Sequence, residues 1–273
     1  MDRDPAGPSP PVTSPAAARP LALVTGSYRR LGAHIAARLG EAGYALALHA
    51  SSEGEPDADL LARLEAAGAP YQCFAAELSD PEAVAGLVPR VAAHFGQPVT
   101  LLVNNASCFR AEDAAVPGMD ALVRHFAVNA AAPFALAAAV AAQAPAEGTC
   151  VINMLDERIV QPPADQLAYT ISKQALAEVT RTLAYALKPG VRVNGVAPGL
   201  TMPTADYTPE QVARLAGLMP LARLPEPDDI ADAVLFLAGA RATTGQVLFV
   251  DGGANLRRFE RDFVHLARDG EGD

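Results

Sequence analysis

Seven short runs rich in apolar and β-branched residues punctuate the chain: LALVT from Leu21, YALALH from Tyr44, YQCFAA from Tyr71, VTLLVN from Val99, TCVINM from Thr149, VRVNGV from Val191 and VLFVDG from Val247. Each ends at a polar or glycine-rich turn, and helix-length stretches separate them. Runs that are apolar almost throughout, rather than at alternate positions, are strands buried on both faces, and helices between them place those strands parallel. The pattern predicts a doubly wound α/β domain of about seven parallel strands over residues 20–256. It leaves no room for an all-helical or sandwich architecture.

Ahead of that domain, residues 1–19 are rich in Pro, Ala and Ser and lack the apolar core of a signal peptide, which reads as a disordered tail. Residues 257–273 read as a short helix followed by a frayed acidic end, with no role assigned. The segment 199–229 interrupts the strand and helix rhythm with prolines around a short amphipathic helix. Such a segment serves as a lid over the substrate. The alanine-rich stretch 126–144 contains Asn129 and Pro133 and is expected to be a closely packed internal helix rather than a membrane span.

Lys and Arg number 21 against 31 Asp and Glu, a net charge of −10, with no basic run. Nucleic acid and anionic membranes both select a basic face, so neither is expected as a partner. Three cysteines, Cys73, Cys108 and Cys150, are far apart and form no CxxC or Cys/His pattern. Neither a disulfide framework nor a metal site is expected, and a cytoplasmic location fits this usage.

The first strand runs into TGSYRRLG, where Gly26 and Gly32 bracket a turn that opens a helix. Glycines let backbone approach a pyrophosphate, whose charge is stabilised by free amides and the helix dipole. The second strand ends in His49, Ala50, Ser51 and Ser52, with no acid to bind a ribose diol and repel a phosphate. NADPH is therefore favoured over NADH. Arg30 can supply charge for the additional phosphate with Ser51 and Ser52 as donors, or Arg29 and Arg30 can simply be a solvated helix start. The fourth strand closes in Asn104, Asn105, Ala106 and Ser107, carboxamides that can bind adenosine and ribose or serve as turn chemistry.

Tyr169 and Lys173 lie four apart in AYTISKQALAEVTRTLAYAL, whose helical periodicity puts phenol and ammonium on one face. Such a pair can be an exposed helix face. Close together, the ammonium would lower the phenol pKa toward neutrality and make Tyr169 a proton donor or acceptor.

TGSYRRLG, NNAS, Asn129 in AVNAAAPF, YTISK and RVNGVAPG, in that order, resemble the short-chain dehydrogenase/reductase family over residues 20 to 255. The resemblance implies a Rossmann-type fold, a nicotinamide cofactor and a homotetramer. It makes Tyr169 the proton donor, Lys173 the ligand of the nicotinamide ribose, and Asn129 the holder of a relay water. It also sets Leu31, Glu77, Leu78, Ala106, Pro198 and Gly199 along the cofactor, Glu77 replacing a more usual aspartate. Pro203 stands near the usual place of a threonine that binds the nicotinamide carboxamide.

At position 156 the family's usual serine is replaced by aspartate, thirteen residues before Tyr169. A serine hydroxyl donates to a ketone oxygen as hydride arrives; an ionised carboxylate has no proton to give and repels an oxyanion. A carboxylate suits instead a substrate with hydrogen-bond donors or growing positive character, such as a ring C=N. The same replacement marks the pteridine reductases, which the chain also resembles in the TGxxxRxG turn and in NNASCF. That resemblance implies a dihydropterin or dihydrofolate-like substrate touching Ser107, Phe109, Asp156 and Tyr169, with Arg258 reaching a neighbouring subunit's site. Phe109 as a packing residue, and Arg257 and Arg258 as solvated charges, are the plainer alternatives. Arg110 follows Phe109 where a second aromatic residue is usual. Two other functions remain in view: reduction of another small carbonyl or imine, and NADP binding without catalysis.

Overall fold

A computed structural model describes residues 19–109, 116–143, 148–203 and 207–268. The N-terminal tail up to residue 18, Arg110 and the last five residues lie outside the described part.

The seven expected strands are all present and all parallel: β1 (Leu21–Val24), β2 (Ala45–Ala50), β3 (Tyr71–Ala75), β4 (Leu101–Asn104), β5 (Cys150–Met154), β6 (Arg192–Pro198) and β7 (Val247–Val250). They form one sheet in the order β3-β2-β1-β4-β5-β6-β7. Strand order reverses between β1 and β4, so a crevice opens beyond their carboxyl ends, where open α/β sheets bind ligands.

Successive residues along β1 feed opposite faces of the sheet. Ala22 and Val24 pack with Ile35 and Leu39 of α1 (Arg30–Glu41), Leu60 and Leu64 of α2 (Ala58–Ala66), and Ile230 and Val234 further along. Leu21 and Leu23 pack with Leu87 and Val91 of α3 (Pro81–Phe95), and with residues of two later helices such as Leu136 and Leu183. Two apolar layers thus sandwich a sheet whose central strands are wholly buried, which explains their continuous apolar sequence.

Helix ends follow local chemistry. Asp80 accepts from the amide of Glu82 at the start of α3, Pro81 occupies its first position, and Gly96 ends it at φ 65°. The helical stretch from residue 119 to 141 consists of α4 (Met119–Phe126), one π-helical turn (Ala127–Ala131) and α5 (Ala132–Ala141). It is long and apolar enough to cross a membrane by length and composition alone. Its inner face, including Leu136, Ala137 and Val140, is built into the core instead. After β5 comes α6 (Leu167–Ala186), then α7 (Pro209–Leu218) within the segment expected to form a lid, α8 (Pro227–Gly239), and α9 (Phe263–Arg268).

A buried polar chain ties the central strands to α6. Asn104 Nδ2 donates to Asn153 Oδ1 (2.8 Å), Asn153 Nδ2 donates to Thr180 Oγ1 (2.9 Å), and Thr180 donates to the Leu176 carbonyl (2.8 Å). Removing the middle member strands two buried partners. Asn153→Ala is expected to lower unfolding free energy by about 1–3 kcal/mol, measured by urea denaturation, with the spectrum of the folded state unchanged.

Candidate active site

The glycine turn after β1 is braced from three sides. Thr25 Oγ1 accepts from the amides of Asn105 and Ala106 (3.0 Å each), and Asn105 Nδ2 donates to the carbonyls of Thr25 (2.9 Å) and Gly26 (3.0 Å). Gly26 has φ +62°, and a Cβ there would sit 3.0 Å from the Ala106 backbone; a Cβ on Gly32 would sit 2.1 Å from the Gly26 carbonyl oxygen. Only glycine fits either position. α1 begins just beyond, with no side-chain cap and no acid in its first turn, which leaves its leading amides for an anion.

His49 supplies the third brace. Its Nε2 lies 2.9 Å from the Ala76 carbonyl, so Nε2 is the donor; its Nδ1 then accepts from the Gly26 amide at 3.1 Å. The ring must be neutral to do both, and burial pushes its pKa down. Expected at the cofactor, His49 thus acts on the turn from behind while its edge lines the crevice. Asn105 behaves likewise. Asn104, also expected at the cofactor, is buried in the polar chain between strands and does not line the crevice.

A cavity of about 570 Å³ lies over this turn, walled by Gly26, Arg29, His49, Ser51, Leu78 and Cys108 among others. Arg30, Leu31, Gly32, Glu77 and Ala106 also line it; Ser52 is exposed and does not. Glu77 caps its own loop, accepting from the amide and hydroxyl of Ser79 at 2.9 Å each. Arg30, at φ 54°, extends across the crevice, and its Nη2 donates to the Met202 carbonyl at 3.0 Å. Arg29, read from the sequence only as part of a solvated helix start, and Arg124, which the sequence did not single out, also line this cavity.

Leu31, Asn105 and Ser107 are shared with a second cavity of about 300 Å³, which holds the chemistry. Asp156 follows the end of β5, and Tyr169 and Lys173 project from α6. The Tyr169 hydroxyl donates to Asp156 Oδ2 at 3.0 Å, and Lys173 Nζ donates to the Met154 carbonyl at 2.8 Å. Phe109 stands edge-on to the Tyr169 ring, centroids 5.0 Å apart, and is 42% exposed at the cavity wall. It is no core residue.

Asn129 sits in the π-helical turn, a geometry that pushes one residue out of the helical ladder. Its Oδ1 accepts from the Cys108 amide (2.6 Å) and the Ser107 hydroxyl (3.2 Å); its Nδ2 donates to the Cys108 carbonyl and to Ser172 Oγ, both at 2.9 Å. Ser172 in turn donates to the Tyr169 carbonyl at 2.6 Å. Asn129 therefore clamps the loop after β4 to the helix of the tyrosine. Pro198 and Gly199 line this cavity, as does Thr201, a hydroxyl two residues before the Pro203 that occupies the expected threonine's place. Arg258 is exposed and away from both cavities.

Two residues of the site carry no signature in the sequence. Arg158 is buried, its Nε donating to Asp156 Oδ1 at 2.9 Å and its Nη2 to Asp262 Oδ2 at 2.6 Å. Its guanidinium also lies 4.8 Å from the Tyr169 ring centroid. Asp262 comes from the C-terminal segment to which no role was assigned. The arginine two residues after Asp156 was the one available signal, because a buried carboxylate requires a partner.

The electrostatics correct one expectation. Burial, reinforced by the Asp156 charge, holds the Tyr169 phenol well above its ordinary value, so it keeps its proton at neutral pH. Lys173 Nζ lies 5.6 Å from the Tyr169 ring centroid but donates to the Met154 carbonyl, not to the phenol, and burial brings Lys173 itself down to about 8. Burial and then the Asp156 charge push Glu157 up to about 8.

A glycine-turn crevice at the switch point of a parallel sheet, joined to a Tyr and Lys pair on one helix face, defines a nucleotide-dependent oxidoreductase of the Rossmann type. A sequence model described as "Enoyl-(Acyl carrier protein) reductase" matches residues 26–255. The chain belongs to the short-chain dehydrogenase/reductase family. It is 33% identical to pteridine reductase 1 of Leishmania tarentolae, over 90% of this chain and 99% of that protein. FolM alternative dihydrofolate reductase 1 from Brucella canis, solved with NADP, superposes with a TM-score of 0.80 at 34% identity, covering 88% and 96%. The promiscuous reductase LugOII, a keto-reductase of lugdunomycin biosynthesis, superposes at 0.79 with 32% identity, covering 86% and 98%.

The neutral His49 yields a pH prediction. The unfolded chain binds a proton on this residue near 6.5 whereas the folded ring resists it, so its contribution to stability is present above that pH and is lost as pH falls toward the lowered folded value. Wild-type melting temperature is expected to fall between about pH 6.5 and 5 more steeply than that of His49→Gln. Parallel curves would contradict this assignment.

Proposed function

We propose that the chain is an NADPH-dependent reductase of a dihydropterin or dihydrofolate-like ring, acting on a C=N bond. One observation carries the reading: Asp156 stands where the family commonly has a serine, and accepts from both Tyr169 and Arg158. A residue so engaged is an acceptor, suited to a ring N–H or amino group and unsuited to polarising a ketone. The relatives named pteridine reductase and alternative dihydrofolate reductase support the substrate class.

The glycine cradle, the uncapped start of α1 and the adjoining cavity fit a dinucleotide. Gly26, Gly32 and the first amides of α1 would hold its pyrophosphate, and Arg29, Arg30 and Ser51 the additional phosphate. A second strand ending without an acid supports NADPH, as do relatives solved with NADP or NADPH. When bound, NADPH supplies the hydride. Tyr169, which carries its proton at neutral pH, delivers it to the ring nitrogen. Asp156 orients the phenol and accepts from the ring's donors. Phe109 lines the cavity wall beside Tyr169, and Lys173 would hold the nicotinamide ribose. Pteridines, being flat, are held by such a wall.

A homotetramer in a reducing cytosol belongs to the same proposal. Exposed Val123, Phe126 and Phe134 on α4 and α5, and Ile171 and Tyr185 on α6, support the assembly; three free cysteines support the compartment.

Turnover tests the reading. NADPH consumption is expected with a dihydropterin and not with a simple ketoester, and Tyr169→Phe is expected to cut the former by about 10²–10⁴-fold. Consumption with the ketoester alone would transfer the protein to carbonyl reduction. Binding of NADPH without turnover of either would favour a non-catalytic role.

A further inference from the structure

The family match ends at residue 255, yet the substrate cavity is walled in part by Asp262 and Phe263. Residues 260–266 are seated on both sides of the cavity mouth. On one side, the Ala164 amide donates to the Glu260 carbonyl at 3.1 Å, and the Asp262 amide donates to Asp165 Oδ1 at 2.8 Å. On the other, Phe263 and Leu266 pack into the lid's own apolar cluster with Leu215 of α7 and Met219. The segment is thus anchored through backbone and apolar contacts, independently of the Asp262 carboxylate.

That carboxylate instead grips Arg158. Arg158 spans two carboxylates with one nitrogen each, Nε on Asp156 and Nη2 on Asp262. A planar guanidinium that binds one carboxylate prefers to do so with two parallel bonds. Held by Asp262 at its far nitrogen, Arg158 gives Asp156 a single side-chain donor on Oδ1, and Oδ2 is left for the Tyr169 hydroxyl.

We propose that Asp262 is a positioning residue for the reduction: by holding Arg158 away from bidentate pairing, it keeps one Asp156 oxygen directed at the Tyr169 hydroxyl. The C-terminal segment, by this inference, completes the proton-delivering group although it lies beyond the stretch matched by the family model. The kinetic part rests on the reductase reading above; the geometric part does not.

Asp262→Asn, Asp262→Ala and Asp262→Glu are to be compared with wild type for dihydropterin kcat and KM, NADPH dissociation constant and melting temperature. Asp262→Asn and Asp262→Ala are expected to lower kcat on the order of 10²-fold, as displaced catalytic groups do. KM and NADPH affinity should be retained, and Asp262→Glu should recover part of kcat. Wild-type kcat in Asp262→Ala would overturn the proposal. So would a rise in KM at unchanged kcat, which would make Asp262 a direct substrate contact, or a fall in kcat matched by loss of NADPH binding, which would make it merely structural; a lower melting temperature is expected in either case, because a buried charge loses a partner.

Should the wild type turn over no dihydropterin, the reductase reading fails by itself, and crystal structures of wild type and Asp262→Asn decide the geometry. Rotation of Arg158 onto both Asp156 oxygens, with loss of the bond to Tyr169, supports the proposal. An unmoved Asp156 and Tyr169 pair overturns it.

Discussion

A buried guanidinium between two carboxylates governs the reactive end of this molecule. Arg158 has almost no contact with solvent and is held on its charge by Asp156 and Asp262 against the cost of burial. Breaking such a buried arrangement by deleting one partner commonly costs about 3–5 kcal/mol, so the three groups stand or fall together. Their joint effect is to give Asp156 an acceptor's role beside a phenol that retains its proton. Glu157, beside Asp156, is pushed up to about 8, by burial first and then by the Asp156 charge.

The nucleotide end relies on neutral groups. Thr25, Asn105 and His49 spend their hydrogen bonds on the backbone of the glycine turn, and the turn shows its remaining amides to the crevice. Stiffness of this kind favours binding because the conformation needed for a pyrophosphate is already made. The two ends meet at Ser107, which lines both cavities and is fixed through Asn129 to the helix that bears Tyr169. One asparagine in a π-helical turn therefore links the loop between the cavities to the catalytic helix.

How much of this the sequence revealed depended on whether the signal was local. The inner strands were legible because a strand buried on both faces must be apolar along its whole length; the edge strands β3 and β7 are only partly buried and were legible from their apolar, β-branched and aromatic residues between turns. Tyr169 and Lys173 were legible because helical spacing aligns them, and Asp156 because the family resemblance puts a serine at that position, thirteen residues before the tyrosine. Asn104 and Asn105 are one dipeptide in the sequence, yet the pleat sends the first into the interior and leaves the second to the turn. His49 was correctly located but serves the backbone rather than standing only as a cofactor contact. The phenol was expected nearer neutrality than its burial allows, and the ammonium expected to lower it donates to the Met154 carbonyl. Arg158 and Asp262 were out of reach: 104 residues separate them, and no periodicity records a contact made by a chain end folding back.

If the central claim holds, the identity of residue 156 decides between ring C=N and ketone substrates. The most direct measurement is the ratio of kcat/KM for a dihydropterin to that for a ketoester, in wild type and in Asp156→Ser. Asp156→Ser is expected to lose pterin turnover and gain ketoester reduction, inverting the ratio, because the hydroxyl restores a donor to a carbonyl oxygen. An unchanged ratio would contradict the account, and would make the carboxylate a structural partner of Arg158 with no part in choosing the substrate.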